Sequence, residues 1–184
     1  MSDELTGKRI AFLVASSGVE QVELTTPWKE LGDAGAETVL VAPEKGTVQA
    51  FNNDVEKGDT FDADLAVADA QASDFDGLVL PGGTTNPDQL RMDQDAVAFV
   101  KAFADAGKPV ASICHGPWTL VEADVVRGKV LTSYPSIRTD IENAGGTWQD
   151  SESVTCPEGG FTLVTSRNPD DLPAFTQAAI AAFS

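Results

Sequence analysis

Apolar residues in this chain gather into short solid runs, separated by longer stretches in which they recur at helical spacing. "KRIAFLVA" (8–15) is such a run and predicts a strand buried on both faces. "SSGVEQ" reads as a turn after it, and "VELTTPWKELGDAG" as a helix ending at Gly35, with Pro27 making its first turn irregular. "AETVLVA" (36–42) predicts a second strand, and the turn-rich stretch 47–69 short antiparallel strands. "FDGLVLPGG" (75–83) predicts a third buried strand running into a proline–glycine turn, and "DQDAVAFVKAFADAG" an amphipathic helix with a glycine stop. "KPVASI" is the fourth strand, followed by a helix over "PWTLVEADVV" with Pro117 at its first position. "VLTSY" leads into a helix over "PSIRTDIENAGG"; "TWQDSESVTC" and "GGFTLVTSR" read as a strand pair, and "NPDDLPAFTQAAIAAF" closes the chain as a helix. This alternation predicts one α/β domain over 1–184, a doubly wound sandwich with a mostly parallel sheet flanked by helices.

Composition narrows the class. No apolar run reaches the length of a membrane span and "MSDELTGKRI" lacks a signal peptide's apolar stretch, so a cytoplasmic protein that does not engage a membrane is expected. The chain carries 29 acidic and 12 basic residues, a net charge of −17. The acids are spread among ordered hydrophobic periods, which predicts an acidic coat on a folded surface and argues against nucleic acid as a partner. Such self-repulsion is relieved by salt, so a high-salt cytoplasm and a halophilic source are expected, with an ordinary acidic mesophilic protein as the alternative.

The chemistry centres on "PVASICHGPW" (109–118), which places the only histidine directly after one of two cysteines. In a doubly wound sheet, ligands bind outside the carboxyl ends of the strands. The loop leading to Glu23, the turn at 81–83 and the Cys114 turn all leave strands at that edge. Cys114 stands between a buried strand and a helix, followed by Gly116 and Pro117, which reads as a nucleophile elbow. The helix dipole is expected to lower the thiol from its ordinary ~8.5. The backbone N–H groups of His115 and Gly83 are placed to form an oxyanion hole. Each residue has a plainer alternative: a packed thiol at Cys114, a solvated acid at Glu23, and a His115 that contributes only its N–H. Cys156 reads as a reduced strand residue, and Trp28, Trp118 and Trp148 as core or interface. The Cys114–His115 pair has no further ligands to complete a metal site, and nothing calls for a cofactor.

"FDGLVLPGG", "GKPVASICHGPWTLVEADVVRGKVLTSYPSIRTDIENAGGTW" and "VELTTPWKELGDAG" together resemble the PfpI-type intracellular cysteine peptidase and deglycase family, within the class I glutamine amidotransferase-like superfamily. The resemblance covers nearly the whole chain. It implies a flavodoxin-like sandwich, Cys114 as nucleophile, Glu23 touching its sulfur, an oxyanion site at Gly83 and His115, and homo-oligomers from dimer to hexamer. In the peptidase branch a glutamate from a neighbouring subunit orients the histidine; the matching stretch here, "PGGTTNPDQL", is one residue longer and offers Asp88. The implied substrates are a peptide, a glyoxal-modified protein group or a small carbonyl such as methylglyoxal. A redox-sensing or chaperone-like stress protein built on the same thiol is the non-enzymatic alternative.

Overall fold

In strand β1 (Arg9–Leu13), Ile10 and Phe12 point to one face of the sheet and Ala11 and Leu13 to the other, and all four are fully buried. A strand with no polar face must lie between two layers, which is why the solid apolar runs become the centre of the molecule. The computed structural model describes residues 3–184. Met1 and Ser2, included in the expected domain and in the leader stretch, lie outside the described residues.

After β1 come β2 (Ser17–Glu20), α1 (Gln21–Asp33), β3 (Glu37–Ala42), β4 (Thr47–Asn52), β5 (Glu56–Asp62), β6 (Leu65–Ala66) and β7 (Gly77–Leu80). The chain continues through α2 (Thr85–Leu90), α3 (Gln94–Asp105), β8 (Val110–Ile113), α4 (Pro117–Glu122), β9 (Val130–Leu131), α5 (Arg138–Asn143), β10 (Thr147–Trp148), β11 (Val154–Cys156), β12 (Leu163–Ser166) and α6 (Leu172–Phe183). The main sheet has the order β11-β12-β8-β7-β1-β3-β6. Every neighbouring pair is parallel except β11 with β12. Its five central strands follow the flavodoxin-like order, with α1 and α6 packed on one face and α3, α4 and α5 on the other. On the second face Phe99 meets both Phe75 and Phe103 edge to face, Phe99 and Phe103 with centroids 5.1 Å apart.

The fold departs from the sequence reading in several places, the unexpected α2 among them. The stretch read as a turn after β1 is strand β2, which joins β4 and β5 in a separate three-stranded sheet. A strand of four residues, with a partner some thirty positions away, leaves no local pattern to read. The helix expected over 117–126 stops at Glu122, because Asp124 turns left-handed (φ 54°). The expected late strand pair is two pairings: β10 runs parallel to β9, and β11 antiparallel to β12. Among the described residues, no helix is long and apolar enough to cross a membrane.

Candidate active site

The chain leaves β1 toward β3 on one side and returns through β7 on the other, so a crevice opens where the strand order reverses. The segments following β1, β7 and β8 meet there. Cys114, directly after β8, has φ 61°, a left-handed conformation costly for a side chain with a Cβ. It is pinned on both sides: its N–H donates to the Ser166 carbonyl (3.0 Å), and its own carbonyl accepts from the Tyr134 N–H (2.8 Å). A Cβ at Gly116 would sit 2.5 Å from the Leu80 carbonyl oxygen, so only glycine lets the chain turn into α4 here. This is the geometry expected of a nucleophile elbow.

The Pro81–Gly82–Gly83 turn closes on the elbow from β7. A Cβ on Gly82 would collide with the Glu23 carboxyl and lie 2.6 Å from Cys114 Cβ. The turn is stapled by Asn86, which is fully buried: its amide donates to the carbonyls of Pro81 (3.0 Å) and Gly82 (3.1 Å), and its oxygen accepts from Ala15 N–H (2.7 Å). Asn86 thus ties the end of β1 to the end of β7. It went unread because an asparagine at the start of an α2 that was not expected has no periodic signal.

Glu23 comes from the first turn of α1 and is fully buried. Its Oε2 accepts from Gly82 N–H (2.8 Å), and its Oε1 has no partner. Burial pushes the carboxyl up from 4.5 to about 8, helped by the charges of Glu20 and Asp54 and opposed by Cys114 and the Gly82 amide. Cys114 is itself 6% exposed. Burial and the Glu23 charge push it up, while the N–H groups of Gly83 and His115 pull it down. The net direction is the reverse of that expected from the helix dipole, and the reason is physical: α4 is only six residues long and the sulfur is desolvated beside a carboxyl.

His115 Nδ1 lies 3.2 Å from Cys114 Sγ and Nε2 lies 3.0 Å from Ser136 Oγ. If Nδ1 accepts the thiol proton, the other nitrogen must hold its proton and donate to Ser136. The ring stacks on Tyr134 (centroids 4.5 Å, 23° between planes). Burial lowers its pKa from 6.5, with the Asp54 charge opposing. Asp88 is exposed on α2, and within the chain it is Ser136 that meets the second imidazole nitrogen; the expected Asp88 contact is one between subunits. The elbow, Glu23 and Gly83 line one cavity of about 520 Å³, which also exposes Glu20, Asp54 and Ser136 to its interior. Glu20, Asp54, Tyr134 and Ser136 were not singled out in the sequence. Cys156, in β11, is buried and accepts from Val130 N–H (3.4 Å). Among the described residues no group of three or more His, Cys, Asp or Glu side chains gathers as a metal site.

Fold and elbow together define an α/β protein of flavodoxin type organised around a buried thiol at the sheet's switch point. The chain belongs to the DJ-1/PfpI family, whose model matches residues 8–182. It is 44% identical to General stress protein 18 of Bacillus subtilis over 95% of this chain and 97% of that protein. It is 41% identical to Protein/nucleic acid deglycase 2 of Escherichia coli, over 94% of this chain and 96% of that one. Among solved structures it superposes with a TM-score of 0.85 and 36% identity on a two-domain protein from Anabaena variabilis with DJ-1/ThiJ/PfpI-like and ferritin-like domains. That match covers 95% of this chain and 47% of the other.

Proposed function

We propose that the protein is a cysteine-nucleophile hydrolase that removes glyoxal-derived adducts from nitrogen or sulfur groups. The observation that carries this reading is the shared environment of Cys114 and Glu23: a strained, buried thiol facing a buried carboxyl with one unpartnered oxygen. The two groups titrate as a unit. With Glu23 protonated, its charge no longer opposes the thiolate that forms as Cys114 gives its proton to His115 Nδ1, and its O–H is free to donate to the sulfur or to a substrate oxygen.

In this scheme the thiolate bonds to the carbinol carbon of a methylglyoxal adduct as the amine leaves with a proton, giving a hemithioacetal on Cys114. The proton on that carbon moves to the neighbouring carbonyl carbon through an enediol, giving a lactoyl thioester. Water hydrolyses the thioester to lactate and returns the thiol. The amides of Gly83 and His115 hold the developing oxyanion, and Glu23 and the neutral His115 ring move the protons. Peptide cleavage is the weaker reading. It requires an imidazolium stabilised by an acid, whereas His115 Nε2 meets a serine hydroxyl.

The test is lactate release from a methylglyoxal-treated peptide at high salt. Multiple turnovers, abolished in Cys114→Ala and reduced in Glu23→Gln, support the reading. Once the thiolate has added to the aldehyde of free methylglyoxal and its oxygen has taken up a proton, the last two steps convert it to lactate as well. Turnover with the free aldehyde but not the adduct would make the protein a cofactor-independent glyoxalase. Absence of turnover with both, and stoichiometric oxidation of Cys114 by peroxide, would make it a redox sensor.

A further inference from the structure

We propose that Glu20 and Asp54 form an electrostatic filter at the mouth of the Cys114 cavity, selecting carbonyl adducts borne on a cationic group such as a guanidinium over those borne on a phosphate. This rests on the functional reading above and specifies its substrate class.

The two carboxylates are built into the site. The tip of the β4–β5 hairpin is Asn53–Asp54, both left-handed (φ 53° and 64°), with Val55 N–H returning to the Asn52 carbonyl (3.3 Å). Asn52 pairs with Glu56 across the tip, so the loop is three residues long and Asp54 sits at its centre. The amides of Asn53 and Asp54 both donate to the Glu20 carboxylate (3.0 and 3.2 Å), which is only 9% exposed. The Asp54 carboxylate in turn accepts from Thr84 N–H (2.7 Å) and Thr84 O–H (3.0 Å), and Thr84 directly follows Gly83. Hydrogen bonds therefore hold both charges at the cavity, where a solvated surface acid would swing free.

Nothing of opposite sign balances them. Among the described residues no lysine or arginine lines the cavity. The Asp54 charge is felt at both Glu23 and His115, so its field reaches the reacting groups. A separate feature marks the same cavity as one that receives a hydrogen-bonding ligand: Glu23 Oε1, fully buried in its wall, has no hydrogen-bond partner among the described residues. A phosphate would enter past two carboxylates without a counter-charge, whereas a guanidinium would pair with them. Across about 6 Å at an effective dielectric of about 40, one unit charge changes the occupancy of a monovalent group by about tenfold.

The experiment measures the rate at which Cys114 is modified by three methanethiosulfonates, cationic trimethylammonioethyl, neutral methyl and anionic sulfonatoethyl, by intact mass in a Cys156→Ser background. Rates are normalised to those of a small free thiol, and the fold of each variant is checked by circular dichroism. The expected preference, cation over neutral and neutral over anion, is at least tenfold each at the lowest salt that keeps the fold. Each should shrink about tenfold in Asp54→Asn, shrink likewise in Glu20→Gln, and fall with added salt in the unmutated protein. A preference equal to that of the free thiol, or one that both variants and salt leave unchanged, would overturn the proposal. A second arm compares lactate release from methylglyoxal-modified N-acetylarginine amide and guanosine monophosphate. Faster turnover of the arginine adduct, narrowed in Asp54→Asn, supports the filter. Equal turnover of the two rejects it while leaving the hydrolase reading intact. Turnover of neither adduct, with the charge preference of the thiol reagents preserved, rejects the hydrolase reading and retains the filter.

Discussion

Replacing Glu23 with glutamine should stabilise the fold, and increasingly so as the pH rises. A buried carboxyl whose pKa is raised holds its proton in the native state over a range where the unfolded chain has lost it. Between 4.5 and about 8 the native state therefore binds the extra proton, and stability falls as pH increases. The slope for one proton is about 1.4 kcal/mol per pH unit, so the full interval costs the native state about 5 kcal/mol. Glutamine keeps the shape and the oxygen that accepts from Gly82 N–H, and has no charge to desolvate. Denaturant unfolding at pH 5, 6, 7 and 8, at one fixed salt concentration, gives both profiles. Subtracting them cancels the general effect of a chain with net charge −17. The difference should grow by about 1.4 kcal/mol per unit toward a plateau near pH 8. Parallel profiles would mean that the Cys114–Glu23 pair binds no more protons in the native state than in the unfolded chain, and a protonated Glu23 beside a protonated thiol would have to be abandoned.

The single histidine offers a second check: in untagged protein its Cε1–H resonance should titrate below 6.5, and lower still in Asp54→Asn, which removes the one charge opposing burial. A midpoint at or above 6.5 would contradict the burial of the ring. Ser136→Ala should cost about 1 kcal/mol of stability from the lost hydrogen bond and lower kcat by about tenfold by freeing the imidazole, while Ser136→Thr keeps the hydroxyl and restores most of the rate. Gly82→Ala should destabilise the protein by about 2 kcal/mol or more, since its Cβ would enter the space held by Glu23 and Cys114; a thermal midpoint equal to that of the unmutated protein would refute this close packing.

The central strands were legible because each is a solid apolar run, and burial on both faces leaves no other reading for KRIAFLVA or FDGLVLPGG. Cys114 was legible from its neighbours: a buried strand before it, and Gly116 and Pro117 after it, force a sharp turn. The direction of its pKa was misread because the helix was taken to be longer and the sulfur more solvated than they are. Ser136 was passed over because its hydroxyl reaches His115 across 21 residues, from a short turn of 3-10 helix that carries no periodicity. Asp54 left a usable trace: Asn53–Asp54 between two alternating strands is a hairpin-turn signal. What it could not convey was that the hairpin tip folds back onto Glu20 and Thr84, because that contact depends on the small second sheet and β2, its unread strand.

The most direct test of the account counts lactate released per subunit from a methylglyoxal-modified peptide and reads the mass of Cys114 in the same quenched samples. The account predicts many lactates per subunit, a transient lactoyl adduct of Cys114 during turnover, and an unmodified thiol once substrate is exhausted. At most one equivalent of product, with Cys114 left permanently altered or never modified, would contradict it.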